Sequence, residues 1–134
     1  MRLLLDTHIL LWALGAPAKL PAKARQEIID PANQVLFSAA SIWEIAIKSQ
    51  LGRSDFVVDP EEISRAALES GFDELAVSAR HAALTARLPR HHRDPFDRML
   101  VAQAMTEPAQ LLTVDSMLKP YSELVVVLEK GSKN

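Results

Sequence analysis

Four acidic residues have the setting and spacing to do chemistry together. Asp6 interrupts two apolar runs in MRLLLDTHILLWAL, and Asp115 closes the apolar stretch LLTVD. Glu44 and Asp97 each follow a good helix-capping residue by three positions, in Ser41-Ile-Trp-Glu44 and Asp94-Pro-Phe-Asp97. The commonplace explanation for this second pair is a capping box, in which the acid satisfies a free backbone N–H and suits the helix dipole. Asp59-Pro-Glu-Glu62 has the same pattern and is assigned no chemistry. Taken together the four acids suggest more. Carboxylates crowded into one crevice repel, and at least one holds its proton at neutral pH unless a cation joins them. An all-oxygen ligand set suits Mg2+ or Mn2+ rather than zinc.

The elements that must position these acids alternate. Leu3–Leu5 reads as a buried strand, Thr7–Leu14 as a helix, and Pro21–Asp30 as a second helix with proline in its first turn. Gln34–Ala39 reads as a strand and Ser41–Leu51 as a helix closed by Gly52. Another helix starts at Asp59-Pro60 and stops at Gly71, and Glu74–Val77 is a short strand or extended connection. Ser78–Leu88 reads as helical, PRHHRD as a loop and Pro95–Glu107 as an apolar helix, with strands at 111–115 and 123–129. Such alternation predicts an α/β fold with a mainly parallel sheet covered by helices on both faces. Asp6 and Asp115 then end strands on the side where ligands collect in open parallel sheets.

Composition sets the bounds. A length of 134 residues and 49% hydrophobic content fit a single domain over 1–130, with residues 131–134 read as a frayed tail. No apolar run approaches the ~20 residues that cross a bilayer, so no membrane association is expected. The absence of cysteine is compatible with a cytoplasmic location and removes thiolate chemistry. A net charge of −2 argues against a broad basic footprint, but Arg87, Arg90, Arg93 and Arg98 gather around His91 and His92 as a candidate phosphate grip. Asp94 is a secondary ligand candidate whose capping role alone accounts for it. Thr7 and Thr113 are secondary candidates for positioning a water or phosphate. His8 lies near Asp6, and the His91-His92 pair reads as substrate contact or solvated loop. Trp12 and Trp43 read as core or interface residues, leaving no aromatic platform for RNA. Ile9, Trp12, Ile45 and Ile47 read as apolar surplus for a dimer face or a partner's groove.

The segments LLLDTHILLWAL, SAASIWEIAIKSQLG, HRDPFDRMLVAQA and LLTVD resemble, nearly end to end, a PIN-domain nuclease, and within that family a VapC-type toxin of toxin–antitoxin pairs. The resemblance implies a PIN-like three-layer sandwich with a central sheet of about five strands. It also implies a Mg2+-dependent endoribonuclease (Mn2+ able to substitute) that cuts by metal-activated water. Asp6, Glu44, Asp97 and Asp115 would be its catalytic, metal-holding acids, and RNA, a cognate antitoxin and a second copy of the chain its partners. The alternative is a PIN-fold module that binds RNA or protein without cutting. A phosphate-processing hydrolase of the haloacid-dehalogenase type fits poorly, since it needs a second aspartate where this chain has His8.

Overall fold

A computed structural model describes residues 1–53 and 56–129; the tail read at 131–134 lies outside them. The chain runs β1 (Arg2–Leu5), α1 (Thr7–Gly15), α2 (Ala22–Ile29), β2 (Gln34–Ser38), α3 (Ala39–Gln50) and α4 (Pro60–Glu69). It continues through β3 (Asp73–Leu75), α5 (Ala79–Thr85), α6 (Pro95–Thr106), β4 (Gln110–Thr113) and β5 (Val125–Val127). The five strands form one sheet in the order β3-β2-β1-β4-β5, every neighbouring pair parallel. The sheet builds outward from β1 to β2 and β3, then the chain returns to the other side of β1 for β4. That reversal makes the β1/β4 seam the switch point, where a crevice opens beyond the strand ends.

The pleat explains the unbroken leucines of β1. Leu3 and Leu5 join a core with Ile9, Leu10, Ile28, Val35, Phe37 and Ala67 from the α1, α2 and α4 side. Leu4 faces the other way, into a core with Leu36, Leu100, Val101, Leu111 and Val125 under α6. A strand covered on both faces has no polar side to alternate with. The five-stranded parallel sheet with helices on both faces is the architecture the sequence predicts.

Most element boundaries shift by one to three residues from the sequence reading, and two of these differences bear on the candidate residues. Helix α3 starts at Ala39, directly after β2, with Ser38 as its cap accepting from the Ala40 N–H. Ser41 is therefore a buried residue within the helix and not the cap. Helix α5 ends at Thr85 rather than Leu88, and Arg98 explains how the chain leaves it. Its guanidinium donates to the carbonyls of Thr85 (2.6 Å), Leu88 (3.2 Å) and Pro89 (2.8 Å), and to the Tyr121 hydroxyl (3.1 Å).

Arg98, expected as part of a phosphate grip, is thus committed to fastening the α5–α6 connection. Arg98→Ala is expected to lower stability by about 1–3 kcal/mol, because buried-side carbonyls lose charged donors. Arg90→Ala and Arg93→Ala, at exposed positions, should leave Tm within error; thermal melts of the three variants check this. The apolar surplus also needs correction: Ile9 and Ile45 are fully buried core residues, which leaves Trp12 and Ile47 only partly exposed.

Candidate metal centre

Asp6 leaves the end of β1 and serves as the N-cap of α1, its Oδ1 accepting from the Ile9 N–H at 2.8 Å. It is 6% exposed. Burial pushes its carboxyl up to about 6, against the pull of hydrogen bonds from Thr113 and the Ile9 N–H. Thr113, fully buried at the end of β4, also accepts the Asp115 N–H at 3.0 Å. One hydroxyl therefore ties together the two strand-end acids across the seam.

Glu44 comes from the second turn of α3 and is buried. The Thr7 hydroxyl donates to its Oε1 at 2.6 Å and lies 3.0 Å from the Ser41 hydroxyl. Its other oxygen pairs with Lys48 Nζ at 2.5 Å. The capping-box explanation does not hold for this residue, since the helix begins two residues before Ser41. A buried carboxylate held on one oxygen by a hydroxyl and on the other by an ammonium is a positioned group.

Asp97 lies in the first turn of α6. A capping box would spend its side chain on the Asp94 N–H, but that N–H donates instead to His92 Nδ1 at 3.0 Å. Asp94 itself is the cap, with Oδ1 accepting from the Phe96 and Asp97 N–H groups. Its Oδ2 lies 3.8 Å from Lys48. Asp97 is pushed up to about 7, first by burial and then by repulsion from Asp94, Asp6 and Glu44, with His92 pulling the other way. The acids that crowd it come from the cap of α1, the second turn of α3 and the cap of α6.

Asp115 reaches the pocket from beyond β4. Its Oδ1 caps the 3-10 turn at Ser116–Tyr121, and its Oδ2 meets His92 Nε2 at 2.8 Å. His92 Nε2 is also 3.5 Å from Asp97 Oδ2, and the potential ligand atoms of His92, Asp97 and Asp115 all lie within 4.8 Å of one another. His92 accepts the Asp94 N–H at Nδ1, the tautomer in which Nε2 carries the ring proton and points it at Asp115. That tautomer orients a carboxylate and leaves no lone pair on Nε2 for a cation.

His92 and Lys48 are the residues that sequence reasoning missed. His92 was expected to touch substrate or solvent, and its place depends on the Tyr121 hydroxyl accepting its N–H from 29 residues away. Lys48 had a legible signal: it stands four residues after Glu44, the spacing at which helical charges meet. Thr7 and Thr113 both orient acids. His8 instead packs against Trp12 and Phe56, at ring distances of 6.1 and 5.3 Å. Of the arginines, Arg90 and Arg93 are exposed on the loop beside His92. Arg87 lines a depression with Met105 and Thr106, about 12 Å along α6 from Asp97, and so does not flank the acids.

The donors suit a hard divalent cation. They are carboxylates and hydroxyls, two of the acids are driven toward neutrality by crowding and burial, and Lys48 and His92 supply the compensating hydrogen donors. Thr7→Val removes the donor that fixes Glu44 while keeping the volume. It is expected to weaken Mn2+ binding by about tenfold or more, read as a shifted Mn2+ dependence of Tm.

An all-parallel α/β sheet with an acidic pocket over the ends of its central strands defines the class. Within it, the family model of the PIN domain matches residues 3–124, and the chain belongs to the PIN domain family. No curated protein matches the sequence. Among solved structures, the chain is similar to one in the crystal structure of VapBC2 from Rickettsia felis bound to a DNA fragment from their promoter. That likeness has a TM-score of 0.67 at 16% identity, over 97% of this chain and 99% of the other.

Proposed function

We propose that the protein is a metal-dependent endoribonuclease, the VapC-type toxin of a toxin–antitoxin pair, working in the cytoplasm. The observation that carries this is the convergence of Asp6, Glu44, Asp97 and Asp115 over the β1/β4 seam. Membership of the PIN domain family, whose members are generally nucleases, supports it. The likeness in fold to VapBC2 supports an antitoxin partner, and a homodimer is part of the same reading. The single domain spans residues 1–130.

Asp6 and Asp97 would hold Mg2+ or Mn2+, with Glu44 and Asp115 completing the shell directly or through waters. When bound, the ion polarises the phosphate and lowers the pKa of a coordinated water. The chain's own part is positional. Thr7 and Lys48 fix both oxygens of Glu44, Thr113 steadies Asp6, and His92 holds Asp115 while Arg90 and Arg93 meet the RNA backbone. Asp94 caps α6 and so sets where Asp97 points. The resemblance to PIN-domain nucleases implies attack by water, with no covalent protein intermediate, leaving a 5′-phosphate and a 3′-hydroxyl.

The test is incubation of the purified chain with RNA in Mg2+, in Mn2+ and in EDTA, with analysis of the product ends. Cutting that requires the metal and leaves 5′-phosphates is expected. Robust cutting in EDTA would overturn the mechanism, and metal binding without turnover would favour the binding module.

A further inference from the structure

The sequence places Trp43 in a core or interface, yet its indole is 63% exposed. It stands edge-on to Phe96, with ring centroids 5.3 Å apart and planes at 79°. The two rings help line an apolar groove of about 420 Å3 with Ala40, Val77, Pro95 and Met99. Both rings immediately precede an acid of the pocket, Trp43 before Glu44 on α3 and Phe96 before Asp97 on α6. Successive helical residues point about 100° apart. The backbone turn that buries the carboxylate therefore turns the ring outward at the pocket's rim.

We infer that this groove receives a nucleobase adjoining the phosphodiester held at the acids. The inference rests on the nuclease reading, because a strand with one phosphate over Asp97 must carry its neighbouring nucleotides across the rim. An exposed indole face is a sequence-tolerant stacking surface, and single-stranded nucleic acid is bound through such faces. The exposed Arg90 and Arg93, on the loop that leads into Phe96, supply backbone charge contacts on the same approach. The groove's volume is that of a small-ligand site.

The experiment measures binding of a short dye-labelled oligouridine by fluorescence anisotropy in EDTA, where nothing is cut. Wild type, Trp43→Ala and Trp43→Phe are compared. A second oligomer has the same sugar–phosphate backbone and no bases. Trp43→Ala should weaken oligouridine binding about tenfold or more, Trp43→Phe should retain most of it, and the abasic oligomer should bind wild type and Trp43→Ala alike. Circular dichroism and the Mn2+-dependent rise in Tm, unchanged in Trp43→Ala, separate lost stacking from lost folding. Equal oligouridine binding by all three proteins overturns the inference, as does an equal loss with the abasic oligomer. So does light scattering that shows a dimer dissolved by Trp43→Ala with oligouridine binding intact. If wild type fails to cut RNA in Mg2+ or Mn2+ but Trp43-dependent binding persists, the nuclease reading falls while the base site stands.

Discussion

Replacing Asp97 with asparagine is expected to lower RNA cleavage about a thousandfold while making the metal-free protein more stable above pH 7. The loss of rate follows from removing a metal-holding carboxylate. Charge stabilisation by a catalytic ion is worth several kcal/mol, and each ~1.4 kcal/mol is a factor of ten in rate. The gain in stability follows from the same geometry. Asp97 is pushed up to about 7 by burial and by Asp94, Asp6 and Glu44, so above that pH the folded protein keeps an anion it holds unwillingly. Asparagine has the same shape and no charge, which removes a penalty on the order of a few kcal/mol. Because Asp94 supplies the cap of α6, the substitution leaves that cap in place. Single-turnover cleavage and melts at pH 8 without metal measure both effects. An inactive variant that is also destabilised would show Asp97 to be structural.

The second expectation is a metal-free protein whose Tm falls by about 10 °C between pH 5 and pH 8, with Mn2+ reversing the fall. Asp6 rises from 3.8 to about 6 and Asp97 from 3.8 to about 7 on folding. The folded state therefore binds more protons than the unfolded chain across that interval. Stability from these groups is fully present below about pH 3.8 and is lost as pH rises through 6 and 7. A few kcal/mol in a chain of this size corresponds to roughly that change in Tm.

A metal must displace the same protons, so its stabilising effect should be larger at pH 8 than at pH 5. Glu107 does not blur the result. Its carboxyl is held below 4.5 by His81 and Arg2, so its contribution is present above 4.5 and is lost only as pH falls lower. Melting curves at several pH values, with EDTA or Mn2+, test this. A flat metal-free profile, or an equal Mn2+ shift at both pH values, would remove the premise of a crowded anionic pocket.

Much of this arrangement was legible in the residues. Unbroken apolar runs at Leu3–Leu5 and Leu111–Leu112 announced strands covered on both sides, and Pro95 after Asp94 marked the start of α6. The start of α3 was not legible, because Ser38 and Ser41 are both competent caps. The choice between them is made by β2, whose Phe37 pairs with Leu5 in the sheet and leaves no loop before the helix. That long-range pairing takes Glu44 out of a capping position and into the pocket. Asp6 could be read as an acid in a greasy seam, yet its second duty as the α1 cap went unread. The role of His92 depends on a loop closed by Tyr121, and no local pattern encodes such a contact. The exposure of Trp43 was within reach, since Ile42 and Ile45 trace a buried face of α3 that leaves Trp43 off it.

The common direction of the five strands has a practical consequence for handling the protein. β1 begins at Arg2, where the side chain meets Gln34 and Glu107, and ends beneath the acids; β5 runs the same way. An affinity handle or biosensor tether joined ahead of Met1 therefore departs from the floor of the sheet, away from incoming substrate. One attached just beyond β5 departs from the roof, and steric interference there would be mistaken for weak binding.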